Sequence, residues 1–407
     1  MPRRFSNVVI VGGGHAAGQL AASLRQLGFA GGVLIVGEED HPPYQRPPLS
    51  KQYLKDECGL DRVYLRQQQF YAAKEVQCIS GKRVVQVDAS MRFVVLDDGT
   101  EIGWDTLVFA TGSSNRALDI PGTDLPGVHS LRSISDCDGL KEQLDHGGRT
   151  LIVGGGYIGL EVASSCRSLG LEATVVELLD RVLARVAVPE ISSYFQNLHD
   201  SNGVHIATSS VVKSIERDLN ENALRVELAN GQRLHAETVL IGVGIVPNVE
   251  LAQESGLRCS DGILVDEYCR TDHDRIFAIG DCTSQQSQLL GRRIRLESVP
   301  NAMEQARCAA ATIAGTPTPN HSIPWFWSDQ YDVKFQMAGF PTEGEAMVVR
   351  GEFGGKTFMN FHLANGQLVG ASAVNSPGEF LVARRLIGKT LDPKKLSDPN
   401  TELKSLV

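Results

Sequence analysis

The stretch TLIVGGGYIGL, residues 150–160, repeats one met earlier in the chain, VVIVGGGHAAG, residues 8–18. In each, a short run of branched apolar residues breaks into a glycine cluster and resumes as a helical pattern. A strand buried on both faces of a parallel sheet reads as such a continuous apolar run. Gly12-x-Gly14-x-x-Ala17 and Gly154-x-Gly156-x-x-Gly159 stand where the strand would turn into a helix. The first glycine of that pattern makes the tight turn, the second lets the backbone approach a pyrophosphate, and the third position packs helix on strand. The helix N-terminus adds amide donors and a partial positive charge. Each copy then runs into a second apolar strand ending in an acid, VLIVGE to Glu38 and ATVVE to Glu177. Carboxylates so placed can accept hydrogen bonds from ribose hydroxyls.

The repetition extends further. DGTEIGWDTLVFATG (98–112) aligns without a gap on NGQRLHAETVLIGVG (230–244), placing Gly99 on Gly231, Thr106 on Thr238 and Gly112 on Gly244. Matched openings and matched closings of two long segments predict one subdomain used twice, with hairpin turns at Asp98-Gly99 and Asn230-Gly231. A lone glycine motif is weak evidence. Two, each with strand, helix, second strand and acid in place, predict an α/β chain with two Rossmann-like dinucleotide-binding domains. Two such sites suggest two cofactors that exchange electrons, one held tightly and one that comes and goes.

The bulk numbers set the frame. A chain of 407 residues implies two or three domains. A net charge of −9 argues against general nucleic-acid binding, since nothing offsets repulsion from phosphate. The cysteines at 58, 78, 137, 166, 259, 269, 282 and 308 include no C-x2-C pair, which is the usage of a reduced cytosolic chain and offers no zinc, iron–sulfur or dithiol motif. His15, inside the first glycine loop, has no second ligand at a useful spacing, so no metal is expected. The apolar run Val8 to Val11 is too short for an export signal, and no stretch of about 18 apolar residues marks a membrane span. A cytoplasmic protein is expected.

Five further stretches resemble one family. ATG (110–112), TDHDRIFAIGDC (271–282), YQRPPLSK (44–51), ESVPNAMEQAR (297–307) and PWFWSDQYD (324–332) together resemble the putidaredoxin reductase-like enzymes. These are FAD-dependent NADH:ferredoxin reductases of bacterial haem-thiolate monooxygenases and ring dioxygenases, within the two-dinucleotide-binding flavoproteins. The resemblance runs from Asn7 to about Gly370. It implies a glutathione-reductase-like fold: a discontinuous FAD domain at 1–112 and 247–323, an NAD domain at 113–246, and a C-terminal α/β domain at 324–407 that covers the flavin and docks the partner. The repeat supports the insertion independently, because its second copy lies between the first and the GD segment.

The resemblance also implies site residues. For FAD they are Gly12, Gly14, Ala16, Glu38, Arg46, Lys51, Val84, Ala110, Thr111, Arg132, Asp281, Val299 and Trp327. For NAD they are Gly154, Gly156, Ile158, Gly159, Glu177, Arg185 and Gly244. Disulfide reductases of the superfamily keep a cysteine near the YQRPPLSK loop, but positions 41–57 contain none. Lys51 takes its place in the resemblance, its ammonium beside flavin N5. A buried isolated lysine tends to lose its proton, so it needs a partner. Glu161 is the candidate, in a pair expected to cross from one domain to the other. Glu177 favours NADH by repelling a 2′-phosphate, while Arg181 or Arg185 could meet one and leaves NADPH open.

The partner implied is an acidic 2Fe–2S ferredoxin, docking near Arg307, Arg384, Arg385 and Lys389. Residues 324–407 hold nine basic and nine acidic side chains, so the net −9 lies outside this region. Three alternatives remain: an NADH oxidase or disulfide reductase, a rubredoxin reductase, and a signalling flavoprotein like apoptosis-inducing factor.

Overall fold

Val8–Val11 is the middle strand of a five-stranded sheet, with every side chain buried. It pairs in parallel with Val33–Val36 on one side and Thr106–Phe109 on the other, Val8 standing opposite Val33 and Thr106. Val76–Ile79 and Ile276–Ala278 complete the two edges. Arg149–Val153 is the middle of a second five-stranded parallel sheet, flanked by Glu172–Val176 and Thr238–Ile241, with Val204–Ala207 and Val128–His129 at its edges. The four strands of the repeat take the same order in both sheets, while the fifth, at the edge, follows the repeat in the first sheet (Ile276–Ala278) and precedes it in the second (Val128–His129). The hairpins form as expected too, closing antiparallel sheets of Val84–Asp88, Phe93–Leu96 and Glu101–Gly103, and of Val212–Asp218, Ala223–Leu228 and Arg233–Ala236.

The computed structural model describes residues 7–219 and 221–407, in two compact units. The first takes the chain up to Arg46 together with Gly59–Ser114 and Val246–Pro324; the second takes Pro47–Cys58, Asn115–Ile245 and Trp325–Val407. In the first unit the glycine-loop helix His15–Gln26 packs against Val299–Ile313, and Leu20, Leu24, Ala306 and Ala309 are fully buried there. The second unit holds a third sheet as well, five antiparallel strands in the order Trp325–Gln330, Val333–Gly339, Gln367–Val374, Phe358–Ala364 and Ala346–Gly351. Aromatic rings tie this sheet to the helices of its unit: Tyr157 meets Phe326 edge-on at 4.5 Å, Phe195 meets Phe335 at 5.3 Å and Tyr194 meets Phe358 at 5.3 Å. Such pairs prefer edge-to-face geometry because ring edges are positive and faces negative. Among the described residues no helix is long and apolar enough to cross a membrane.

The strand Phe358–Ala364 is buried from Phe358 through Leu363, His362 included at 2% exposure. Burial lowers the His362 pKa from 6.5 to about 4, since the charged ring cannot be solvated there. Its folded-state pKa is below the unfolded value, so its contribution is intact above pH 6.5 and is lost as the pH falls toward 4. The linked loss is on the order of 2 kcal/mol by pH 5. Thermal unfolding at pH 7.5 and 5.0 is expected to show a smaller acid-induced fall in Tm for His362→Leu than for the native chain; an equal fall would refute this.

Candidate active site

The Lys51 turn begins with two prolines. They fix φ near −65° and remove two backbone donors, so Pro47–Ser50 closes as a single 3-10 turn. The Lys51 and Tyr53 amides donate to the Pro48 carbonyl, both at 3.0 Å. The turn is sealed from below: Ser165 Oγ donates to the Ser50 carbonyl at 2.7 Å and the Cys137 thiol to the Leu49 carbonyl at 3.2 Å. Lys51 itself is buried, and its Nζ lies 2.7 Å from Glu161 Oε2.

Glu161 sits in the second turn of Tyr157–Ser168, inside a run from Gly159 to Cys166 that is buried throughout. A carboxylate there needs its charge compensated and its lone pairs filled. Lys51 supplies the charge. The Ser50 hydroxyl donates to Oε2 at 2.5 Å and the Ser328 hydroxyl to Oε1 at 2.6 Å. The pairing of Lys51 with Glu161 is as expected, but it does not cross between units. Pro47–Cys58 packs with the second unit, to which Glu161 and Ser328 also belong. Neither serine was singled out in the sequence. The available signal was the alternation in Trp325–Gln330, where Ser328 and Gln330 put polar groups on one face of an aromatic strand.

Sulfur chemistry has no foothold at this turn. Cys137 lies directly beneath Leu49, but burial pushes its thiol up to about 12, and a protonated thiol is no nucleophile. None of the eight cysteines forms a disulfide, and only Cys78 is exposed.

The second glycine loop gathers the residues expected around one dinucleotide. Gly154 has φ +110°, and a Cβ on it would stand 2.4 Å from the Gly242 carbonyl oxygen. Gly156, the N-cap of Tyr157–Ser168, faces open space instead, with nothing within 4 Å of its Cβ position. That is the cradle a pyrophosphate needs. Ile158 is 43% exposed beside it, and Gly159 is buried against the loop. Glu177 holds the loop: its Oε2 accepts from the Gly155 amide at 2.6 Å and Oε1 from the Leu179 amide at 2.8 Å. A carboxylate has about four acceptor positions, so room for hydroxyl donors remains. Leu178 and Leu179, 63% and 39% exposed, leave an apolar shelf beside Glu177 that the sequence reading passed over.

The two arginines separate. Arg181 is used up within its own segment, donating to the carbonyls of Ala184 and Ala187 and, at 2.6 Å, to Ser192 Oγ. Arg185 is exposed, with Nη2 3.2 Å from the Cβ position of Gly244.

The first glycine loop repeats this construction. A Cβ on Gly12 would stand 2.2 Å from the Ala110 carbonyl oxygen, whereas Gly14 is open. Ala16 and Ala110 are buried, as is Val84 on its strand. His15 follows Gly14 with its Nδ1 buried and unpartnered among the described residues. Burial, then the charges of Arg66 and Arg46, lower its pKa to about 4. Those arginines and the helix N-terminus make the surroundings favourable to an anion. Arg46 is anchored to Glu39 at 2.8 Å and to the Tyr44 hydroxyl at 2.9 Å. Thr111 Oγ1 donates to the Asn248 carbonyl at 2.8 Å, and Ser113 donates to Asp281 at 3.1 Å. Glu38 is exposed, with Arg83 at 3.9 Å. Val299 opens its helix after the N-cap Ser298. Gln305, unnoticed in the sequence, is fully buried on that helix and accepts the Gly280 amide at 2.6 Å, which fixes the turn that carries Asp281.

Arg132 and Trp327, the other FAD candidates, belong with Lys51 to the second unit. The Arg132 amide donates to Asp136 Oδ2 at 2.9 Å, just ahead of a capping box formed by Ser133 and Asp136. Trp327 lies 5.7 Å from Trp325 in a tilted pair. Of the candidate docking charges, Arg307 pairs with Glu304 on its own helix, Arg384 lies over the Trp325 ring at 4.7 Å, and Arg385 and Lys389 are exposed.

Known proteins of the same construction exist. Residues 6–306 match the pyridine nucleotide-disulphide oxidoreductase family and residues 325–407 the reductase C-terminal family. Rhodocoxin reductase of Rhodococcus erythropolis is 41% identical over 98% of this chain and 93% of its own. The crystal structure of the ferredoxin reductase for the CYP199A2 system of Rhodopseudomonas palustris is 38% identical, with a TM-score of 0.95 over 98% of this chain and 99% of that one. The covalent putidaredoxin reductase–putidaredoxin complex matches at 36% identity and a TM-score of 0.94, over 98% of each chain. The chain belongs to the pyridine nucleotide-disulphide oxidoreductases, in the branch that carries the reductase C-terminal domain.

Proposed function

We propose that this protein is an FAD-dependent NADH:ferredoxin oxidoreductase, which takes hydride from NADH and passes single electrons to a 2Fe–2S ferredoxin feeding a bacterial monooxygenase or dioxygenase. The observation that carries the reading is the buried Lys51–Glu161 pair, standing where a sulfur-based reductase would need a thiolate. FAD, when bound, supplies both capacities: it accepts hydride and gives electrons up one at a time.

The residues then have defined tasks. Gly12, Gly14 and Ala16 cradle the FAD pyrophosphate; Glu38, Arg46, Val84, Ala110, Thr111, Asp281 and Val299 surround the rest of the cofactor, with Arg132 and Trp327. Lys51 would face negative charge on the bound flavin, and Glu161 pairs with that lysine and orients it. Gly154, Gly156, Ile158, Gly159, Glu177, Arg185 and Gly244 hold the nicotinamide dinucleotide. NADH is preferred because the Glu177 carboxylate opposes a 2′-phosphate and Arg181 is committed elsewhere. Arg185 is the residue that limits this preference. We assign three functional domains, FAD at 1–112 and 247–323, NAD at 113–246 and docking at 324–407. Of the candidate docking charges Arg307, Arg384, Arg385 and Lys389, the exposed Arg385 and Lys389 suit an acidic partner.

The test is NADH-driven cytochrome c reduction with and without a 2Fe–2S ferredoxin. Strong stimulation that weakens as salt rises is expected; NADH consumption without ferredoxin dependence, ending on oxygen or a disulfide, would sink the reading. The two glycines of the NAD loop separate packing from binding. Gly156→Ala is expected to fold with a Tm near that of the native chain while NADH affinity falls at least about tenfold. Gly154→Ala, forced against the Gly242 carbonyl, destabilises the unit outright. Similar NADH affinity in Gly156→Ala and the native chain would place the dinucleotide elsewhere.

Alignment and stability can be separated in the same way. Lys51→Met leaves the Glu161 charge buried without its cation and costs about 3 kcal/mol or more. Adding Glu161→Gln is expected to restore most of that stability but not the rate of FAD reduction by NADH, measured by stopped flow. A double variant as fast as the native enzyme would remove the pair from the mechanism.

A further inference from the structure

A line of buried polar side chains leads away from the Glu161 carboxylate. Ser328 Oγ is 2.6 Å from Glu161 Oε1, and Gln330 Nε2 is 3.1 Å from Ser328 Oγ. His199 Nε2 is 2.8 Å from Gln330 Oε1, and the Tyr331 hydroxyl is 3.0 Å from His199 Nδ1. Ser328 and His199 are fully buried and Gln330 nearly so.

The direction of every bond follows from one charge. A carboxylate only accepts. Ser328 has a single hydroxyl hydrogen, used on Glu161, so it must accept from the Gln330 amide group. The Gln330 carbonyl therefore faces His199 and takes the Nε2 hydrogen. A neutral imidazole then has its lone pair on Nδ1, which accepts the Tyr331 hydroxyl. Burial lowers the His199 pKa, which keeps the ring neutral, as the scheme requires.

We infer that His199 is a positioning residue for the Lys51–Glu161 pair: held as its Nε2–H tautomer, it fixes the Glu161 carboxylate, and with it the Lys51 ammonium, through Gln330 and Ser328. This rests on the reading of that pair as the one that faces the flavin. The other use of such a line, carrying protons, is blocked by Gln330. A side-chain amide has no titrating proton near neutral pH, and handing one along would require its imidic acid form. The line is a brace rather than a wire.

Two measurements test it. Nitrogen-15 NMR of the histidine-labelled holoenzyme at neutral pH reads the tautomer, with His199 assigned by its loss in His199→Gln. Protonation on Nε2 alone is expected; protonation on Nδ1, or on both nitrogens, overturns the inference. Stopped-flow reduction of bound FAD by NADH, with no acceptor present, reads the consequence. His199→Gln keeps an amide donor within reach of Gln330 Oε1, whereas His199→Leu leaves that oxygen buried and unpaired. The limiting rate is expected to fall about tenfold in His199→Leu and to stay within about twofold in His199→Gln, with the Kd for NADH unchanged in both. Equal rates in all three proteins, or an equal loss in both variants, overturns it. Should His199→Leu not fold, Ser328→Ala removes the link next to Glu161 and is expected to show the same tenfold loss; a native rate there is equally fatal. Neither measurement contains ferredoxin, so a failure to reduce ferredoxin would overturn the reductase reading and leave these outcomes to stand on their own.

Discussion

The arrangement of the second unit depends on one buried negative charge. Glu161 lies on a helix whose surrounding residues are all removed from water, and an ion in that setting is tolerable only if a counter-ion and hydrogen-bond donors are brought to it. They come from two separate parts of the chain: Lys51 and Ser50 from the proline turn, and Ser328 from the first strand of the C-terminal sheet. None is near Glu161 in sequence. Replacing the carboxylate by an apolar group would relieve the desolvation cost, so the charge is not retained for stability. On the proposed reading, its presence is accounted for by how it orients the Lys51 ammonium, 2.7 Å away.

The two copies of the repeat show how one framework serves different ends. Both place a strained first glycine against the carbonyl of the closing strand or the residue after it, and both leave the second glycine open. They diverge at the acid. Glu177 is tied to two backbone amides and braces its own loop, while Glu38 is exposed. In the first copy the polar support comes instead from Gln305, reaching in from a distant helix to hold the Gly280–Asp281 turn. The charges near the loops differ as well: Arg66 and Arg46 gather around the first, beside a His15 ring whose pKa they and burial lower, whereas in the second the exposed Arg185 lies over Gly244. A loop with more buried cationic character suits the more tightly held cofactor.

Legibility in the sequence followed the range of the interactions. The central strands were readable because a strand buried on both faces is a contiguous apolar run, and the glycine turns because their constraint is local. The hairpins at Asp98-Gly99 and Asn230-Gly231 were readable for the same reason. Lys51 and Glu161 could be paired only through family resemblance, since 110 positions separate them. The brace behind them was not visible at all. Ser328 is 167 residues from Glu161 and Gln330 is 131 from His199, and no local pattern encodes which polar side chains will meet. The surroundings of the charges were hidden for a similar reason: the Arg384 guanidinium lies over the Trp325 ring, and Arg181, one of two arginines that could meet a 2′-phosphate, donates within its own segment. Cys137 shows the reverse, a thiol that sequence distance separates from the lysine turn and folding brings beneath it.

The packing of the proline turn with the second unit places Lys51 in the same unit as the second glycine loop. The helix Tyr157–Ser168 follows its N-cap Gly156, whose Cβ position is open, and carries Glu161 one turn further on. At 1.5 Å of rise per residue, the first helical residue and the carboxylate-bearing residue are about 6 Å apart along the axis. A dinucleotide seated on the glycine loop is therefore indexed against Lys51 through a single turn of helix and one ion pair, with no flexible segment between them. Hydride transfer needs donor and acceptor carbon and nitrogen held within a few tenths of an ångström of a productive distance, and errors of about 1 Å are costly. Had the lysine turn packed elsewhere, that distance would have depended on every contact in between. The buried pair removes this dependence, and the Ser328–Gln330–His199 line extends the same rigidity to the C-terminal sheet.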